Sequence, residues 1–122
     1  MKLRVLGNSV RLRLSQTDLA TLLAGGAVEE SVSFPSGGAL RYRLERARVE
    51  VALADYRDGA IVLRFPAEAV DRWARPQEVS MRAELSLGAG EVLKLLVEKD
   101  FRCLSPRGDE EDADDLFANP GA

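Results

Sequence analysis

The residues with the clearest chemical potential are charged side chains that alternate with apolar ones. Arg11, Arg13, Arg41, Arg43, Arg64, Lys94 and Glu98 lie in stretches such as Val10-Arg11-Leu12-Arg13-Leu14 and Leu40-Arg41-Tyr42-Arg43-Leu44. Guanidinium forks match phosphate oxygens in pairs, and carboxylates hold Mg²⁺. Gathered inside a barrel, these residues would suit a phosphate ligand or nucleotide, and with Mg²⁺ a phosphohydrolase. Turned outward with Glu45, Arg48, Glu50, Arg82 and Glu84, they make a solvated face whose cross-strand ion pairs contribute only tenths of a kcal/mol each. A second constellation lies at the C-terminal end, where the acids Asp109 to Asp115 run into Leu116-Phe117-Ala118-Asn119-Pro120. Such a run repels itself and is expected to be disordered when alone. Its end, Asp112, Asp114 and Asp115 followed by Leu116 and Phe117, has the composition of a short motif that docks in a groove. That groove could belong to another protein or to this chain's own Arg-rich face.

Composition narrows the chemistry. The chain has no histidine, which removes the usual general base at neutral pH and the commonest transition-metal ligand. One cysteine, Cys103, can form neither an internal disulfide nor a thiolate cage and fits a reducing compartment. No cofactor or metal site is expected, and the reading is non-enzymatic. No apolar run approaches the ~20 residues of a membrane span, and the opening Met1-Lys2-Leu3-Arg4-Val5 alternates like a strand, so a cytoplasmic protein is expected. All 17 basic residues fall in residues 1–107 against 14 acids, whereas residues 108–122 hold six acids and no base. The +3 body should therefore attract the −6 tail, most strongly over residues 1–54, with eight bases and five acids. Nucleic acid is not an expected partner, because Tyr42 lies on the apolar side of its strand and cannot interleave with the arginines as a stacking platform. An unknown protein partner is expected instead.

These side chains are positioned by a regular series of elements. Leu3 and Val5, then Val10, Leu12 and Leu14, alternate around Gly7-Asn8 as a hairpin. Ser15 and Asp18 can cap a helix carrying Leu19, Leu22 and Leu23, which Gly25-Gly26 ends. Val28 to Phe34 and Leu40 to Leu44 form a second hairpin around Pro35-Ser36-Gly37-Gly38. The order then recurs: Val49, Val51 and Leu53 pair through Asp58-Gly59 with Ile61, Leu63 and Phe65. A helix with Val70 and Trp73 follows, and Val79 to Leu85 pairs with Leu93 to Val97. Sliding residues 10–34 onto 61–85 matches every main apolar position, and Leu40 to Arg46 resembles Leu93 to Lys99. The expected fold is α+β and predominantly antiparallel, with about eight strands and two short helices. Two ββαββ units, about 1–47 and 48–104, form a barrel or strongly bent sheet. They make one β-rich domain, 1–104, followed by the acidic, disordered tail 105–122. The join falls at Arg46-Ala47-Arg48, where the apolar phase flips.

The opening Lys2-Leu3-Arg4 with Gly7-Asn8-Ser9-Val10-Arg11-Leu12-Arg13-Leu14, the stretch Glu98-Lys99-Asp100-Phe101-Arg102-Cys103-Leu104, and the acidic run ending Phe117-Ala118-Asn119-Pro120 resemble a small family of uncharacterised bacterial proteins. The resemblance implies a bacterial origin and a single domain, and brings no activity or site residue. A charged tunnel would be similar to the triphosphate tunnel enzymes, but no Glu-x-Glu pair is present and their Glu-x-Glu-x-Lys motif is missing. The expected function is a binding or regulatory module that makes protein contacts through its charged sheet face and tail. The alternative is a phosphate-ligand protein working inside the barrel.

Overall fold

A computed structural model describes residues 1–101 and 115–118 of the 122-residue chain. The chain runs β1 (Lys2–Val5), β2 (Ser9–Leu14), α1 (Gln16–Gly25), β3 (Ala27–Ser33), β4 (Ala39–Ala47), β5 (Leu53–Arg57), β6 (Ala60–Pro66), α2 (Ala67–Trp73), β7 (Ser80–Gly88) and β8 (Glu91–Lys99). Local chemistry sets these boundaries. Ser15 closes a reciprocal cap on α1: its hydroxyl accepts from the Asp18 amide at 3.2 Å and its own amide donates to the Asp18 carboxylate at 3.0 Å. At the other end Gly26 takes the left-handed conformation (φ 82°) and donates to Leu22 O, a geometry that favours glycine. The Asp58-Gly59 turn joins β5 to β6. Gly59 is at φ +74°, and a Cβ there would stand 3.0 Å from Ala39 O, so both conformation and space require glycine.

The four hairpins β1–β2, β3–β4, β5–β6 and β7–β8 are antiparallel, but they do not form a predominantly antiparallel barrel or a single bent sheet. Among the described residues there are two four-stranded sheets, ordered β1-β2-β8-β7 and β3-β4-β6-β5. Each takes one hairpin from each half of the chain and has a parallel pair at its centre, β2 with β8 and β4 with β6. The expectation fails because period-2 alternation reports which face of a strand is buried, not which strand lies beside it or in which direction. Helix α1 carries the chain from the first sheet to the second, and α2 carries it back. The place beside β2 is therefore filled by β8 rather than by a strand of the same half.

The two parallel seams correspond residue by residue. Ser9 opposite Lys94, Val10 opposite Leu95 and Leu14 opposite Lys99 in the first sheet have counterparts in Ala60 opposite Arg41, Ile61 opposite Tyr42 and Phe65 opposite Arg46 in the second. These are the same offsets at which the apolar patterns of the two halves coincide in the sequence.

One difference falls in the second half. The segment with Val49 and Val51 is a connector, and β5 begins only at Leu53. The Asp58-Gly59 turn fixes Leu53 opposite Arg64, and continuing that register would set Val51 opposite Pro66, which has no N–H to donate. Val51 is accordingly 65% exposed, while Ala52 is buried.

Side chains from both sheets and both helices form a single core. Leu12, Leu14, Leu22, Leu44, Leu63, Val70 and Val97 are fully buried, with Phe65, Trp73 and Leu95 at 2% exposure. Among the described residues no helix is long and apolar enough to cross a membrane.

Candidate peptide-docking site

The charged residues singled out from the sequence lie on the two sheets and are not brought to one place. On the first sheet, Arg13 Nε donates to Glu98 Oε1 at 2.7 Å and Arg11 stands 3.9 Å from the same carboxylate. On the second, Arg64 Nε and Arg43 Nε donate to the two oxygens of Glu45 at 2.8 and 2.6 Å. Glu45 is held below the usual carboxylate range: its partial burial pushes the other way, but the hydrogen bonds and charges of Arg43 and Arg64 prevail. The Arg13–Glu98 and Arg64–Glu45 contacts occupy equivalent rungs of the two parallel seams. Arg41 is exposed and donates to Asp58 O at 3.2 Å, and Lys94 is exposed. Half-exposed pairs of this kind contribute about 0.2–1 kcal/mol. With no barrel, these residues enclose no interior.

The tail residues form a built site. Cys103, Asp112 and Asp114 lie outside the described residues, as do the domain boundary at 104 and most of the tail. Asp115, Leu116 and Phe117 are seated on the body, where β2 runs into α1 and β8 ends. Asp115 Oδ1 accepts from the Thr17 amide at 3.0 Å and the Thr17 hydroxyl at 2.8 Å, using an N–H that the first turn of α1 cannot satisfy internally. Gln16 Nε2 donates to Leu116 O at 3.0 Å, and the Leu116 side chain is 5% exposed. The Phe117 amide donates to Asp100 O at 2.9 Å, a parallel bridge pairs Phe117 with Phe101, and their rings meet edge to face at 5.9 Å. Lys99 Nζ lies 5.5 Å from the centre of the Phe117 ring while donating to Arg75 O at 2.7 Å. Burial lowers the Lys99 pKa, against a smaller opposing pull from Glu78.

A charged cluster flanks the groove. The Met1 amino group lies 2.8 Å from Asp18 and 2.7 Å from Glu30, and Lys2 stands 2.8 Å from Asp100. Burial works against the charged amine, yet the two carboxylates raise its pKa. Each of Asp18, Asp100 and Asp115 thus already faces a cation or an N–H donor.

Hydrogen bonds from Thr17, hydroxyl first and then amide, with lesser help from Ser15 and the Met1 amine, hold the Asp115 carboxyl below its ordinary 3.8. A carboxyl depressed on docking stabilises the docked state above its free pKa, and the contribution is lost as the pH falls through the docked value. Acidification below about pH 4 is therefore expected to move the Thr17 amide resonance toward its undocked position, and Asp115→Asn should remove that component of the titration. An identical titration in the two proteins would mean that Asp115 does not hold the tail.

The sequence offered the chain's own Arg-rich face as one possible receiver of the tail segment; in the structure Asp115 to Phe117 sit instead against Gln16, Thr17, Lys99, Asp100 and Phe101, of which Gln16, Thr17 and Phe101 carried no expectation of a site. One signal was available: the Ser15/Asp18 cap marks a helix start whose remaining N–H groups are open to a carboxylate.

The fold and the groove define a two-sheet α+β domain that receives a segment of its own tail. The chain belongs to DUF7009, a family of unknown function, which matches residues 1–121. Comparison with curated proteins and with solved structures gave no match.

Proposed function

We propose that this is a non-enzymatic binding or regulatory module, bacterial and cytoplasmic, that makes protein contacts through its charged sheet faces and its acidic tail. The observation that carries this reading is the seating of Asp115-Leu116-Phe117 on the body. The carboxylate is received by Thr17, the aromatic ring by Phe101 and Lys99, and the leucine side chain is left only 5% exposed. The motif resemblance supports the bacterial assignment, and the lone Cys103 supports a reducing compartment. The corresponding registers of the two parallel seams support reading the halves as copies of one ββαββ unit.

A second reading is favoured by a hollow of about 280 Å³ whose lining includes Ser9, Arg11, Arg82, Glu84 and Lys94, where three cations could meet a phosphate group. A thermal-shift screen of nucleotides and polyphosphates with Mg²⁺ separates the two. The module reading expects an unchanged melting temperature throughout. A ligand at 100 times its Kd would add about 2.7 kcal/mol and would overturn that reading in favour of a phosphate site.

A further inference from the structure

The tail groove treats its occupant as a peptide rather than as a continuation of the chain. Among the described residues, the contacts to it are made to three consecutive residues: the carboxylate of Asp115, the side chain and carbonyl of Leu116, and the amide and ring of Phe117. None requires that this triplet be joined to Phe101. The receiving groups, Gln16, Thr17, Lys99 and the Asp100 carbonyl, belong to the body and can make the same contacts to a triplet from another chain. Among the described residues, four hydrogen bonds, one β-bridge, one aromatic pair and one side chain left 5% exposed make a small contact. Because the triplet belongs to the same chain as its receiving groups, its effective concentration is on the order of millimolar, and a partner must compete with it. In the sequence five acids at positions 109–114 precede the triplet and the body carries net positive charge, so an acidic run before the triplet strengthens the approach of any segment that carries one.

We propose that the groove filled by Asp115-Leu116-Phe117 is an exchangeable peptide site whose occupant in trans is a segment of another protein carrying an acidic run followed by Asp-Leu-Phe. The inference rests on the binding-module reading and names its partner class. The chain's own tail is then a built-in competitor that sets a threshold: a partner binds when its local concentration exceeds that of the tethered segment. Gln16 and Thr17 read the acid and the backbone, and Lys99 and Phe101 read the aromatic ring.

The test uses the full-length chain with Leu116→Ser and Phe117→Ser, which disables the internal triplet and leaves the groove intact. The probe is a fluorescent synthetic peptide with the sequence of residues 109–118, followed by anisotropy. The double variant should bind it saturably, wild type should bind it at least about tenfold more weakly, and a peptide with serines at the Leu and Phe positions should not bind. Retained amide dispersion in the β2 and β8 strands shows that the variant is folded. A folded variant that shows no saturation up to about 1 mM peptide, or a wild type that binds as tightly as the variant, overturns the proposal. A wild-type dimer in sedimentation that the double variant loses assigns the groove to a second copy of this chain and overturns the separate-protein partner. A folded double variant that fails to bind the peptide while no polyphosphate stabilises the protein overturns the peptide site and leaves the module reading standing, whereas the same failure with a stabilising polyphosphate overturns both, so the two failures are distinguishable.

Discussion

Trp73→Ala is expected to lower the unfolding free energy by about 3–5 kcal/mol and the melting temperature by roughly 10–20 °C. The indole is 2% exposed at the end of α2, and its Nε1 donates to Val79 O at 3.0 Å. That carbonyl also accepts from the Lys99 amide at 3.1 Å, so the indole ties α2 to the start of β7 and the end of β8. Truncation leaves a void in the core that Trp73 shares with Phe65, Val70 and Met81 and detaches the helix from that junction. Trp73→Phe keeps most of the apolar surface and should lose about 1 kcal/mol for the hydrogen bond plus a smaller packing term. Denaturant unfolding of the three proteins gives the comparison, and a loss under about 1 kcal/mol for the alanine variant would show that the indole does not hold α2 to the junction of β7 and β8.

The second large effect is local. Leu116→Asp replaces a covered apolar side chain with a carboxylate beside Asp18 and Asp100, removing about 1.5–3 kcal/mol of apolar burial and shifting the tail toward the undocked form by about 10- to 100-fold. Amide resonances of Gln16, Thr17 and Lys99 to Phe101 should move together, with those of β4 and β6 unchanged. Leu116→Met, which keeps the volume, should leave them near their wild-type positions. The global cost is capped at the docking free energy, because the body keeps its own core when the tail leaves. The melting temperature should therefore fall less than in Trp73→Ala. Spectra of Leu116→Asp that match wild type at Thr17 and Lys99 would rule out docking in solution.

The contrast between these two positions shows what the sequence discloses. Leu12, Leu14, Leu44 and Leu63 declare themselves by alternation, and Ser15, Asp18 and Gly26 mark the ends of α1 by their side-chain and backbone chemistry, because these signals are local. The parallel seams are not local: Leu12 has the same inward pattern whether its neighbour is Leu44 or Val97. Val51 continues the alternation perfectly well yet leaves the strand, because the limit is set by Pro66 on the other side of a turn. At the candidate site, Leu116 and Phe117 stand out as apolar residues after a run of acids. Thr17, Gln16 and Lys99 look like ordinary surface residues until the end of β8 is laid beside the start of α1. Arg13 and Arg64 read equally as ligands or as ion-pair partners, and only the direction of the sheet face separates the two.

The exchange of hairpins between sheets also imposes an order on synthesis. The sheet β3-β4-β6-β5 is complete within residues 27–66, whereas β1-β2-β8-β7 needs the chain from residue 2 to residue 99. The β1–β2 hairpin, made before the other three, is thus among the last to gain its neighbour. Until β8 emerges, the flank of β2 that will take it presents unpaired N–H and C=O groups. The N-terminal hairpin must wait on the nascent chain for a strand translated some eighty residues later.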